Sequence, residues 1–150
     1  MKIGNNCHLN TMSFSTEPYL IELGDHVAIS AGTDLVTHDG AIWCFRQEKN
    51  NETADIFGKI IIGNNVFIGI NVTILPNTTI GNNTIIGAGS VVRGKFPDDV
   101  VLIGNPAKVV MKISFQRFLY FQNPGLCFTH KYSDRAKAKI VKELFVKASR

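Results

Sequence analysis

The chain has 150 residues, 45% of them hydrophobic and 19% charged, with a formal net charge of +4. That length supports one domain with its own core, and no run reaches the roughly 18 consecutive apolar residues of a membrane-spanning helix. The opening residues MKIGNNCHLN carry one lysine with no apolar run behind it, so they do not read as a signal peptide, and a cytoplasmic protein is expected.

The charge is unevenly spread. Residues 1–107 hold six Lys/Arg against ten Asp/Glu, whereas residues 108–150 hold ten against two. A basic tail on an acidic body points to an anionic ligand near their junction or to a charged surface partner. Cys7, Cys44 and Cys127 are odd in number, far apart and free of C-x-x-C spacing, and read as reduced thiols.

The chain begins in sixes: IGNNCH and LNTMSF, from Ile3 and Leu9. Leu9 to Leu23 is two residues longer than a whole number of sixes, and Pro18 lies in that stretch. The register resumes as LGDHVA, ISAGTD and LVTHDG from Leu23, Ile29 and Leu35. After a break it returns as IGNNVF, IGINVT, ILPNTT, IGNNTI, IGAGSV and VRGKFP, from Ile62 to Val92, making eleven hexads in all. Position one is always Ile, Leu or Val, as a buried aliphatic site requires.

Position five is mostly small or β-branched (Cys7, Ser13, Val27, Thr33, Val66, Val72, Thr78, Thr84, Ser90). It lies an even number of residues from position one, so both point inward on an extended segment. Position four is Asn or Gly in seven hexads, namely Asn6, Gly32, Asn65, Asn71, Asn77, Asn83 and Gly89. These residues tolerate positive φ best, which predicts a recurring tight corner. A flat side and a corner every six residues describe a chain wound into a prism, each coil stacked about 4.8 Å above the last. One hexad buries too little to be stable alone, while a stack buries a continuous column. The fold expected is a parallel β-helix.

The break runs from Leu35 to Ile62, a span that is not a multiple of six. It contains the polar run RQEKNNETAD flanked by Trp43, Phe45 and Phe57. A solenoid accepts such an insertion as a loop thrown out from a corner, and long ordered loops are usually functional. His38 occupies position four, a corner, where histidine accepts positive φ more readily than most residues. Asp39 falls at position five, where a carboxylate pointing into an aliphatic column would be costly. The coil is therefore expected to leave its path at Asp39, with His38 exposed at the loop base. His26 also sits at position four, so a corner histidine need not be catalytic.

From Ile113 the hexads vanish. SFQRFLYFQNPG and SDRAKAKIVKELFVKASR read as helical pieces separated by Asn123-Pro124-Gly125, with Ser133 as N-cap. Ala136, Ile140, Val141, Leu144 and Phe145 form a short apolar stripe on the second piece. Covering an open sheet edge is one role for this tail, and contact of its basic amphipathic helix with acidic lipid is another.

The hexads, the histidine before the excursion and the closing stretches GAGSVV and GNPAK together resemble the hexapeptide-repeat acyltransferases over residues 3–110. That resemblance implies a left-handed β-helix domain over residues 1–110 with an excursion loop at 41–59, and a C-terminal helical extension over 111–150 packing on it. It implies an acetyl-CoA-dependent enzyme, with His38 as general base. VTHDGAIW looks most like the branch that acetylates sugar hydroxyls of surface polysaccharides, which makes Asp39 and Trp43 candidates for acceptor binding. By position, Gly69, Ala88 and Lys108 match family residues that contact coenzyme A. The family's Thr-Lys and later Arg are replaced by Arg93-Gly94-Lys95 and Met111-Lys112, so Arg93, Lys95, Lys108 and Lys112 are candidates for its phosphates. Family members are homotrimers whose clefts are shared between neighbours, and a homotrimer is expected. No metal and no nucleic acid is called for.

Imidazole suits such chemistry, because it titrates near working pH and can take a hydroxyl proton as the thioester is attacked. The partner orienting it stays open among Asp39, Asp34 and a main-chain carbonyl. Other readings are an amino-sugar N-acetyltransferase, a serine acetyltransferase-like enzyme, or a non-catalytic β-helix scaffold. A zinc enzyme on this fold would need two histidines about five residues apart, and His8, His26, His38 and His130 supply no such pair.

Overall fold

A computed structural model describes residues 1–148. Residues 2–112 form three sheets, joined in turn as the chain winds. The first face carries Lys2–Ile3, Ile21–Leu23, Ile60–Ile62, Thr78–Ile80 and Lys95–Phe96. The second carries His8–Leu9, Val27–Ile29, Val66–Ile68, Thr84–Ile86 and Val100–Gly104, and the third Asp34–Leu35, Thr73–Ile74 and Val91–Val92. All pairings among these strands are parallel and in register, such as Leu23↔Ile62↔Ile80 and Ile29↔Ile68↔Ile86. The architecture is a left-handed parallel β-helix.

The hexad rule explains the core. Position-one residues Ile29, Leu35, Ile62, Ile68, Ile74, Ile80, Ile86 and Val92 are no more than 2% exposed. Each such aliphatic burial is worth about 2 kcal/mol. Position-five residues Val27, Thr33, Val66, Val72, Thr78, Thr84 and Ser90 are equally buried, the hydroxyls spending their hydrogen bonds on carbonyls such as that of Gly69, 3.0 Å from Thr33 Oγ1. Ser13 departs from the expectation and is exposed; Thr11 is buried instead, donating to the Thr33 carbonyl at 2.7 Å. The first coil carries two extra residues, so its third side does not keep the hexad register.

Corners fall where position four predicts. Asn6, His26, Asn65, Asn71, Asn77 and Asn83 adopt φ between 52° and 61°, and Gly32 and Gly89 adopt 70°. One corner is laced by side chains. His26 Nδ1 lies 2.9 Å from Asn65 Oδ1, Asn65 Nδ2 donates to Asn83 Oδ1, and Asn83 Nδ2 donates to Asp99 Oδ1, both at 2.9 Å. Alongside, the carboxamide and carboxylate oxygens of Asn64, Asn82 and Asp98 accept the main-chain N–H of Asp25, Asn64 and Asn82 at 2.7–2.8 Å. These N–H groups have turned out of the strand ladder and need an acceptor.

His38 does not follow the corner rule. Its φ is not positive, and it instead forms an antiparallel bridge with Phe57. The chain has already departed from the coil at that residue, so no corner remains for it to turn.

The GNPAK stretch is a hairpin turn. Strand Ala107–Lys112 returns antiparallel along Val100–Gly104, which extends the β-helical unit to residue 114. Residues 115–150 form a second compact unit. It contains most of helix α1 (Ile113–Phe121) and helix α2 (Asp134–Ala148). Ser133 caps α2, its hydroxyl oxygen accepting from Ala136 N and its carbonyl from Lys137 N. Among the described residues no helix is long and apolar enough to cross a membrane.

Candidate active site

The third face ends at Leu35, yet the chain stays on the coil for two more residues. Val36 N–H donates to the Ile74 carbonyl, and the carbonyl of fully buried Thr37 accepts from Gly58 N–H, both at 2.8 Å. Between 37 and 58 the chain leaves and returns. The neck of this excursion is pinned by the His38–Phe57 bridge and by Asp39 N–H donating to the Ile56 carbonyl at 2.9 Å.

Asp39 spends its carboxylate on the loop itself: Oδ1 accepts from Ala41 N at 3.0 Å and caps the 3-10 helix Gly40–Phe45. Arg46 closes the polar run. Its Nε donates to the Ala54 carbonyl at 3.1 Å, its guanidinium pairs with the Asp55 carboxylate, and it lies 5.8 Å from the centre of the Trp43 ring. Cation–π contact at this range is favourable. The loop is thus built around a fixed Arg46, with Trp43 left 72% exposed.

At the base of the loop, His38 Nδ1 lies 3.2 Å from Glu17 Oε2 and 3.3 Å from Ser15 Oγ. Glu17 is the orienting group, in place of Asp39 or Asp34. Its Oε1 accepts the Thr16 hydroxyl at 2.6 Å and its Oε2 the Thr37 hydroxyl at 2.8 Å. The Thr16 hydroxyl foremost, then those of Thr37 and the imidazole, hold the Glu17 carboxyl below the usual carboxylate range, against an opposing push from burial. The Glu17 side chain is 14% exposed and that of His38 44%. Nδ1 is therefore anchored from within, while Nε2 has no hydrogen-bond partner among the described residues. His38, Glu17, Asp39, Trp43, Arg46 and Phe57 line one hollow of about 370 Å³.

Glu17 escapes sequence inspection because it comes from the previous coil. The available signal was the two-residue excess between Leu9 and Leu23: Glu17 stands immediately before the 3-10 helix Pro18–Leu20 that takes up that excess.

The other candidates fall at three corners of the prism. Gly69 N–H donates to the Ile86 carbonyl at 2.9 Å, and a Cβ on Gly69 would come within 2.6 Å of Ala88 N, so these two stack directly after the second face. Lys108 pairs with Ile103, whose side chain packs against the Gly87 backbone, placing it on the same edge. Arg93 follows the third face and lies two coils from His38 along one edge, a path traced by Val36 N to Ile74 O and Leu75 N to Val92 O. Lys95 opens the first face opposite Thr79, and Lys112 pairs with Val100 where the second face begins. All four cations are exposed. Gly69 and Ala88 stack on each other, with Lys108 further along the same edge; the remaining cations do not join them.

A stack of six-residue rungs wound as a β-helix is what this chain shares with hexapeptide-repeat transferases. Residues 59–94 match the family described as bacterial transferase hexapeptide (six repeats). The chain is 44% identical over 138 residues to Protein CapG of Staphylococcus aureus, a span covering 90% of this chain and 79% of that protein. It belongs to the hexapeptide-repeat acyltransferase family. Among solved structures, the hexapeptide-repeat acetyltransferase VCA0836 of Vibrio cholerae is 31% identical with a TM-score of 0.64, over 74% of this chain and 61% of that one. The same enzyme complexed with acetyl coenzyme A gives 29% identity and the same TM-score, over 73% and 58% of the two chains. A maltose O-acetyltransferase of Clostridium difficile is 27% identical with a TM-score of 0.55, over 74% and 66%. The chain thus spans about three-fifths of the Vibrio enzyme's length.

Proposed function

We propose that this protein is an acetyl-CoA-dependent O-acetyltransferase that acetylates a hydroxyl of a saccharide, with His38 as general base. The observation carrying this reading is the imidazole held at Nδ1 by Glu17 and bare at Nε2, beside a hollow walled by the excursion loop. Nδ1–H donating to the Glu17 carboxylate fixes the tautomer whose Nε2 lone pair can accept a proton. The acceptor hydroxyl gives that proton to Nε2 as its oxygen attacks the thioester carbonyl carbon. The tetrahedral intermediate collapses by breaking the C–S bond, and the thiolate recovers the proton from Nε2. Glu17 stabilises the imidazolium between the two transfers without taking the proton itself. No covalent enzyme intermediate is needed, so no nucleophilic Ser or Cys is required.

Acetyl-CoA as donor is supported by the Vibrio acetyltransferase complex, and a sugar acceptor by the maltose O-acetyltransferase. The Gly69–Ala88 edge suits an extended pantetheine arm, because small residues stack there backbone to backbone, so closely that a Cβ on Gly69 would strike Ala88. Lys108 stands on that edge for the phosphates. Trp43 offers an exposed ring for stacking a pyranose, and Asp39 a second carboxylate oxygen for its hydroxyls. His38 and the Gly69–Ala88 edge lie on different corners of one prism. A homotrimer would bring the histidine corner of one chain to the donor edge of the next, with Arg93 and Lys95 entering from the histidine side. Three free thiols suit a reducing compartment such as the cytoplasm.

The test is acetyl-CoA consumption against neutral sugars, amino sugars and serine. The expected result is sugar-dependent thiol release with an alkali-labile ester as product. An alkali-stable amide, or turnover with serine alone, would contradict it.

A further inference from the structure

Residues 115–150 leave apolar rings uncovered to an unusual degree. Phe115, Phe118, Tyr120, Phe121 and Tyr132 are each more than half exposed, and Phe128 is 81% exposed. None of the residues of helix α1 is buried. The same segment holds eight Lys/Arg against two Asp/Glu, a net +6, while residues 1–114 carry only −2. In α2, Lys137, Lys139 and Lys142 are interspersed with the apolar stripe, and Phe145 and Val146 stand 58% and 60% exposed beside them.

We infer that the 115–150 unit is a peripheral membrane-binding element whose partner is a bilayer surface rich in acidic lipid. Clustered Lys/Arg are drawn to an anionic leaflet, and rings of Phe and Tyr sit at the boundary between headgroups and acyl chains. The two features occupy one short segment, and the lipid interface rewards both. Nucleic acid would reward the charge and base-stacking rings but gains nothing from exposed Leu119, Leu126 and Val146. A second copy of this chain offers a body of only −2 to match +6, and lysines are poorly suited to the centre of a protein interface. Such an element would hold the enzyme where membrane-linked saccharides are assembled.

The test is co-sedimentation of the full chain with vesicles of phosphatidylcholine alone or mixed with phosphatidylglycerol, at low and high salt. Binding is expected only with the acidic lipid, weakened by salt, and reduced roughly 100-fold by Lys137→Gln/Lys139→Gln/Lys142→Gln. Phe118→Ala/Phe121→Ala should lower it at unchanged charge, with circular dichroism confirming that each variant is folded. No difference between the two lipids would overturn the inference. So would retention of full lipid binding by the folded lysine variant, a shift in oligomer size by light scattering caused by the phenylalanine variant, or RNA binding that displaces the vesicles.

Discussion

Glu17 receives hydroxyl hydrogen bonds from Thr16 and Thr37 and lies 3.2 Å from the His38 imidazole. Glu17→Gln keeps the shape and removes the charge. Losing the charge that faces the imidazolium predicts a roughly 10–100-fold fall in kcat with the acetyl-CoA KM little changed, measurable by steady-state thiol release. The same residue predicts a pH effect on stability. Its carboxyl is held below the usual range in the folded protein, so its contribution is complete above the unfolded carboxylate pKa and disappears as pH falls through the folded value. Urea midpoints taken from neutral toward acid pH should fall more steeply for the native protein than for Glu17→Gln; parallel curves would refute the linkage. The histidine was legible in the sequence because it stood where a rhythm broke. Its partner was not, because it lies 21 residues earlier in an irregular coil and no spacing rule connects them.

The coil is the element of this fold, and its rules were largely written in the hexads. Position-one aliphatics from Leu23 onward became the column, while Ile3 in the first coil stays exposed, and position-four asparagines became left-handed corners. What the period could not show was register outside itself: Ser13 turned out, His38 abandoned its corner, and the closing stretch doubled back as a hairpin. Ile74→Ala, at a fully buried rung between Leu35 and Val92, should cost about 2–5 kcal/mol by urea denaturation. Asn65→Ala removes both a residue tolerant of φ 56° and the middle of the corner ladder, and should cost about 1–2 kcal/mol by the same measurement. Gly69→Val tests the donor edge. Its Cβ would strike the Ala88 backbone, so a raised acetyl-CoA KM is expected, and an unchanged KM in a folded variant would remove that edge from the site.

At the scale of the whole molecule, a single prism separates the histidine from the glycine edge, and the proposed homotrimer would join them. Light scattering should give a trimer, and mixing His38→Ala with Gly69→Val chains should give, at subsaturating acetyl-CoA, more activity than the two variants measured separately. A monomer that turns over at the native rate would contradict the shared cleft. The charge division between body and tail was visible in composition, whereas the uncovered rings of residues 115–132 became evident only in three dimensions. The most direct measurement is the single-turnover rate of acetyl transfer to the best sugar acceptor, at saturating acetyl-CoA, for the native protein and His38→Ala. The rate should fall by about 10²–10⁴ with acetyl-CoA binding intact. Native-like transfer by the alanine variant would contradict the assignment of the imidazole as the base.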